Sequence, residues 1–329
     1  MASDEFIKKE SGGNTKIILV TRVHKEATDE KMFKLVDEIE YLENMPEKWK
    51  HHFMTVEQSF VGEDRVYYEM PHYNLPTMRR LIFSGAVDAT EVIKWVRQIL
   101  CFAFEMYEEE KIEEPAVYMD YMHFHRFDRR MSELMMKSEI FREIIPKKTF
   151  SMNSVEYMNA PVIVNKLRNR KVSDTLKPDF YSKWGHSDLH FSNVMIDREK
   201  NSFILIDPRG YPFCDYIYDL GKIWHSVNGK YEFISERKFE WSGDELWLDR
   251  NQAFNICEQV KEALPAVFAE QSEFTKDELM KRVEFNEAMH FITLVPFCFD
   301  FDGIEDRARA AYWTGTALLN AFWSKYYGD

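Results

Sequence analysis

The stretch that decides the fold is Trp184-Gly-His-Ser-Asp-Leu-His-Phe-Ser-Asn-Val-Met-Ile-Asp197, followed by Phe203-Ile-Leu-Ile-Asp207-Pro-Arg-Gly210. Val194-Met-Ile and Phe203-Ile-Leu-Ile read as two short apolar strands joined by the polar turn 197–202. Such a hairpin brings Asp207, at the end of the second strand, close to Asn193, just before the first. Asp188 precedes Asn193 on the same loop. One amide and two carboxylates are therefore expected along one edge.

This set suits phosphoryl transfer. A magnesium ion prefers hard oxygen ligands and keeps several waters, so one carboxylate and one amide oxygen suffice beside nucleotide phosphates. A further carboxylate, free of metal, orients an acceptor hydroxyl and takes its proton. On this reading Asn193 and Asp207 hold the metal, Asp188 faces the acceptor, and Gly210 permits a tight turn. Other readings stay open. His186-x-Asp188-x-His190 also has the composition of a zinc cluster. His123-Phe-His125-Arg-Phe-Asp128 is close to the H-x-H-x-D-H string of metallo-β-lactamase-like hydrolases, but its aspartate falls one place late and no further histidine follows. His186 is expected to hold the loop through backbone hydrogen bonds, and His190 to be structural or near the acceptor.

His186-x-Asp188-x-x-x-x-Asn193 followed by Ile206-Asp207-x-x-Gly210 resembles the paired catalytic motifs of the aminoglycoside phosphotransferase and choline kinase superfamily. Asp215 with Tyr218-Asp219-Leu220-Gly221 resembles the D…YDLA element that follows them. The longer string Ile206-Asp-Pro-Arg-Gly210, then Asp215-Tyr-Ile-Tyr-Asp-Leu-Gly-Lys222, is most similar to a bacterial subgroup often associated with capsule or surface-polysaccharide synthesis. The resemblance is strongest over 184–221. It implies an α+β, protein-kinase-like two-lobe fold, with a small N-terminal antiparallel sheet plus one helix and a large, mostly helical C-terminal lobe. It also implies ATP and Mg2+ as cofactors, a small-molecule hydroxyl acceptor, and Asp188, Asn193 and Asp207 as the catalytic set.

In that superfamily a strand lysine binds the nucleotide phosphates and pairs with a helix glutamate. Glu38 sits where the glutamate would, and Arg22 is the leading strand candidate, with Lys25 close behind. A guanidinium neutralises phosphate but is not a geometric copy of an ammonium, which raises a nucleotide-binding pseudokinase as a rival. There is no G-x-G-x-x-G, so Gly12-Gly13 would be a short phosphate-covering loop. Tyr67-Tyr68-Glu69-Met70-Pro71 resembles the inter-lobe hinge, with the backbone of Glu69 and Met70 facing adenine. The resemblance points to a sugar or polyol acceptor bound for a surface glycan; the acidic balance and many aromatics allow an amino-alcohol such as choline or ethanolamine, and an aminoglycoside is the less favoured alternative. A protein kinase is the further rival, although the run is H-S-D-L-H rather than H-R-D and no A-P-E follows.

The rest of the chain fits this frame. Strand 16–23, with a hairpin partner at 6–9, precedes a helix at 29–44 and strands at 53–61 and 65–70. The N-terminal lobe is set at 1–75 with a hinge at 68–76, and the helical lobe at 77–329. Asp88 with Glu91 fits a capping box opening a helix to about residue 110. Further helices are expected at 121–137, 250–270, 276–294 and 303–327, and a loop-rich link at 145–180, where Pro146, Pro161 and Pro178 lie. Asp219 reads as support for the catalytic loop or as a helix N-cap. Trp313, Phe322, Trp323, Tyr326 and Tyr327 read as core, and Asp300 and Asp302 as caps or acceptor-site acids.

Composition excludes several function classes. The 329 residues carry 43 Lys+Arg against 56 Asp+Glu, a net charge of −13, which disfavours general binding to nucleic acid or anionic membrane. The best apolar run, 291–299, is short and interrupted by Pro296, so no membrane span is expected. No secretory signal is visible, and the four cysteines form no C-x-x-C pair. A soluble protein of the reducing cytoplasm is the expectation.

Overall fold

A computed structural model of the chain describes residues 6–10, 16–20, 22–28, 32–115, 117–210, 212–299 and 305–328. The chain opens with the hairpin β1 (Phe6–Glu10) and β2 (Lys16–Val20), paired Phe6 to Val20. The apolar run expected as one strand is divided. Lys16–Val20 closes the hairpin, and β3 (Arg22–Ala27) joins a second sheet and runs on past Val23. Helix α1 (Met32–Asn44) follows, burying Leu35, Glu38, Ile39, Tyr41 and Leu42 as its apolar stripe demands. Next come β4 (Gln58–Val61) and β5 (Val66–Pro71), which make β5 the central strand in the order β3-β5-β4.

Residues 53–56, expected in a strand with β4, lie outside it. Phe53 bridges Leu205 in the catalytic hairpin, and the Leu205 N–H donates to the His52 carbonyl at 2.8 Å. On the hairpin's other edge the Ile196 N–H donates to the Pro76 carbonyl at 2.9 Å. The hairpin is thus wedged between the segment entering β4 and the segment leaving β5.

Beyond Met78 the described chain is mostly helical. Asp88 caps the helix Ala89–Glu109 by accepting the Glu91 N–H at 2.8 Å, while the Glu91 carboxylate turns to Arg198. The 145–180 segment departs from expectation. It holds the hairpin Thr149–Met152/Val155–Met158 and the helix Ala160–Asn169. Pro161 lies in the first turn of that helix, where its missing N–H costs nothing. A second hairpin, Phe239–Ser242/Glu245–Leu248, had no clear sequence signal. Helices Gln252–Ala269, Lys276–Leu294 and Asp306–Tyr326 match the expected set. Among the described residues no helix is long and apolar enough to cross a membrane.

Two apolar cores result. One joins α1, the helix Ala89–Glu109, the catalytic hairpin and the helix Tyr216–Val227. The other gathers the C-terminal helices and includes Trp313 and Phe322, with Trp323, Tyr326 and Tyr327 packed against it, so the late aromatics are core.

Glu287, in the buried helix Lys276–Leu294, accepts from Asn228 Nδ2 at 2.7 Å, and burial pushes its carboxyl up to about 8. An unfolded glutamate titrates near roughly 4.3. This group's stabilisation is therefore complete below that value and is lost as pH rises through about 8. Glu287→Gln should gain melting temperature relative to the parent progressively from pH 5 to pH 9. A pH-independent difference between the two proteins contradicts the assignment.

Candidate active site

The hairpin pairs Val194–Asp197 with Ser202–Leu205, Val194 opposite Leu205. Just beyond this ladder the Ile206 N–H donates to the Asn193 carbonyl at 3.0 Å, which sets Asp207 beside Asn193. Asn193 Nδ2 donates back to the Asp188 carbonyl at 3.0 Å, turning its amide oxygen the other way. The Arg209 N–H donates to the His186 carbonyl at 3.0 Å. Loops 186–193 and 206–209 are thereby stitched together. Asp207 sits at φ +56, a left-handed backbone that a non-glycine residue adopts only under constraint.

His186 is buried and bridges the two loops. Its Nδ1 accepts the Asp188 N–H at 3.2 Å, so Nε2 carries the proton and donates to the Ile206 carbonyl at 2.9 Å. Burial lowers its pKa, which suits a neutral, loop-holding ring. Asp219 is fully buried below the loop. It accepts the N–H groups of Ser187 (3.0 Å) and Leu189 (3.2 Å) and the Tyr107 hydroxyl (2.9 Å). Asp219 therefore supports the loop, and the N-cap of helix Tyr216–Val227 is Asp215.

The cation facing Glu38 is Lys25. Its Nζ lies 2.8 Å from both Glu38 oxygens and 2.9 Å from Asp207 Oδ1. Burial works against the ammonium, but the carboxylates of Glu38 and Asp207 outweigh it and raise the Lys25 pKa. The Tyr68 hydroxyl, on β5, completes the group by donating to Glu38 at 2.8 Å. Arg22, the leading candidate from sequence, lies against Glu57 (3.1 Å) and Glu69 (3.4 Å) instead. Strand parity explains the correction: alternate residues point to opposite faces, so Arg22 and Lys25 cannot share one. Lys25 shares a parity with Val23 and Ala27, a signal already present in the sequence.

Glu69 and Met70 are also placed differently from expectation. Both lie within central β5. The Glu69 carbonyl accepts the Glu57 N–H at 2.8 Å, and Met70 is in register with Val23. Their backbone is thus engaged in the sheet, which the chain leaves only over residues 72–76. Gly12, Gly13, Asp300 and Asp302 lie outside the described residues.

Helix α1 is docked onto the catalytic loops at two points. The Gly185 N–H donates to the Tyr41 hydroxyl at 3.2 Å. Gly210, at φ +65, packs so closely that a Cβ would sit 2.2 Å from the Asp37 carbonyl oxygen. The glycine thus serves the approach of α1 as well as the turn.

Asp188 is held between cations. Its Oδ2 lies 3.3 Å from Arg209 Nε and 3.2 Å from Nη2, and its Oδ1 lies 3.0 Å from Lys222 Nζ. Burial would raise its pKa. Arg209 and Lys222 outweigh burial and hold the carboxyl well below the usual range. Neither cation was singled out from sequence. Lys222 belongs to Tyr216–Val227, every residue of which is buried. A lone lysine in such a helix is the signal that marks it. His190 caps the turn Phe191–Asn193 and lines the cavity beside Asp188. His123 is buried, its pKa pushed down to about 3 by burial, and among the described residues no three or more His, Cys, Asp or Glu side chains are grouped so as to hold a metal ion.

No family model and no curated protein matches the chain. The similar solved structures include two of aminoglycoside phosphotransferase APH(3'')-Id from Streptomyces rimosus ATCC10970. The one in complex with ADP and streptomycin is 12% identical with a TM-score of 0.50, the match covering 88% of this chain and 92% of that one. The other is 14% identical, with the same TM-score and coverage. The chain therefore has the kinase-like fold of that enzyme, as the sequence resemblance implied.

Gly243 has φ +63 and open space, free of other atoms within 4 Å, where a Cβ would stand, which makes it a control for Gly210. Gly243→Ala should lose about 1 kcal/mol from backbone strain alone. Gly210→Ala should lose about 2 kcal/mol more through the clash with α1, read by urea unfolding. Equal losses contradict the docking of α1 on this loop.

Proposed function

We propose that the protein is an ATP-dependent small-molecule kinase that transfers the γ-phosphate to a hydroxyl of its acceptor. The observation that carries this reading is the Lys25–Glu38–Asp207 cluster beside the Asn193 and Asp188 loop. It gathers one ammonium and a set of oxygen donors, the kinds of group that nucleotide phosphates and their counter-ion require. It also weighs against a pseudokinase, a rival that rested on the strand lysine being absent.

The nucleotide lies between the 1–75 and 77–329 lobes, with adenine along the backbone of 72–76. Lys25 neutralises phosphate charge, and Glu38 holds it in place. The exposed Asp207 carboxylate and the Asn193 amide oxygen are hard donors of the kind magnesium selects. When bound, the ion supplies charge neutralisation on the transferring phosphate. Asp188 orients the acceptor hydroxyl. Its oxygen attacks the γ-phosphorus, the bond to the bridging oxygen breaks, and ADP leaves. The hydroxyl proton passes to Asp188. Arg209 and Lys222 make Asp188 a weak base. That fits a loose transition state, in which proton removal comes late and positioning matters most. A sugar or polyol destined for a surface polysaccharide is the favoured acceptor, on the resemblance over 184–221. An amino-alcohol is the second reading.

Asp188→Asn should lower turnover by about 10²–10⁴-fold while leaving magnesium-dependent ATP binding intact. Lys25→Met should weaken ATP binding at least about tenfold, and Arg22→Met should stay near the parent value. Near-normal turnover of Asp188→Asn, or equal effects at Lys25 and Arg22, sinks the assignment.

A further inference from the structure

The three N–H donors of the Lys25 ammonium meet three carboxylate oxygens: both of Glu38 at 2.8 Å and Asp207 Oδ1 at 2.9 Å. The two partners differ in how firmly they are committed. The Glu38 side chain is 8% exposed, and the Tyr68 hydroxyl donates to it as well. Taking Lys25 from Glu38 would strand a buried carboxylate. The Asp207 side chain is 49% exposed, so water can answer its charge when the lysine leaves. The hairpin need not move for this: the Ile206 N–H stays on the Asn193 carbonyl while the Asp207 carboxylate changes partner. The Glu38 contact is thus the fixed arm of Lys25, and the Asp207 contact is the exchangeable one.

Asp207 is also the carboxylate of the proposed metal pair with Asn193. A magnesium or manganese ion on Oδ1, at its usual distance of about 2.1 Å, stands within about 5 Å of the ammonium that shares this oxygen. Positive centres that close repel each other. Lys25, Glu38 and Asp207 together carry one negative charge in excess, and a lone divalent ion over-compensates it. A polyphosphate removes the conflict. Its oxygens accept the third N–H of Lys25 in place of Asp207 and ligate the ion on their other side.

We propose that Lys25 competes with the divalent cation for Asp207, so that the Asp207–Asn193 site takes its ion together with a polyphosphate nucleotide and only weakly by itself. The inference rests on the kinase reading and adds an order of assembly to it. Lys25 then has two opposed effects: it draws nucleotide phosphate and it turns away bare metal. The coupling is reciprocal, so the ion tightens the nucleotide by the factor with which the nucleotide tightens the ion. A consequence separates this role from that of an ordinary site residue. Removing Lys25 weakens nucleotide binding but strengthens binding of the metal alone.

Manganese binding to the full chain without nucleotide, read from the electron paramagnetic resonance of the unbound ion, tests this. The double variant Lys25→Met, Glu38→Gln removes the ammonium, keeps the net charge and leaves no new carboxylate for the ion. It should bind manganese at least about tenfold tighter than the parent. Adding Asp207→Asn to it should abolish the gain. Arg22→Met removes a cation that faces Glu57 and Glu69 instead, and should match the parent. Lys25→Gln, which keeps a polar head for Glu38, should gain as well and covers the case in which the double variant does not fold. Equal affinity in the parent and the Lys25 variants, manganese binding in none of them, or a gain that survives Asp207→Asn overturns the inference. Magnesium-dependent ADP binding to the parent, followed by calorimetry, is the separate readout. Its absence counts against the kinase reading, whereas its presence without a gain at Lys25 counts against the competition alone.

Discussion

One lysine meeting two carboxylates organises this molecule. Lys25 comes from the small sheet, Glu38 from α1, and Asp207 from the catalytic hairpin, and all three meet within 2.9 Å. Burying a carboxylate such as Glu38 is costly unless it is paired and hydrogen-bonded. Lys25 and the Tyr68 hydroxyl meet that requirement. The sheet, the helix and the loop are therefore tied at a single point, and removing Lys25 leaves the buried Glu38 carboxylate without its ion-pair partner. The close contact of Gly210 with the α1 backbone, and the bond from Gly185 to Tyr41, keep two of these elements, α1 and the loop, in register.

A second electrostatic arrangement faces the other way. Asp188 has its own pair of cations, Arg209 and Lys222, and Arg209 belongs to the same turn as Asp207. The short string Asp207-Pro-Arg-Gly210 therefore serves both sides: its aspartate faces the small lobe, and its arginine faces the cavity of the large lobe. Asp219 holds the loop between them from below.

Much of this was legible in the sequence. The hairpin was readable because two apolar runs flank a polar turn, and the motif order then located Asp188, Asn193 and Asp207. The helical period located α1, and Glu38 was then named from the resemblance, which implies a glutamate on that helix. Lys25 was harder, because His24-Lys25-Glu26 looks like the polar end of a strand that in fact continues to Ala27. The roles expected of Glu69 and Met70 depended on whether β5 is central or at an edge. That is settled by pairing with β4, which no local pattern encodes. Pro161 looked like a loop marker because a proline in the first turn of a helix and a proline in a loop are identical until the Asn159 cap is seen. Lys222 acquires meaning only from its tertiary partner.

The central claim is that Asp207 and Asn193 form a metal site next to the Lys25–Glu38 pair. A crystal grown with ADP and manganese, with the ion located by its anomalous scattering, tests this most directly. The account predicts one peak at about 2.1–2.2 Å from both an Asp207 oxygen and the Asn193 amide oxygen. It also predicts the β-phosphate of ADP against Lys25. A manganese peak held by other side chains, or ADP bound with Lys25 still closed on Asp207 and no ion between them, contradicts it.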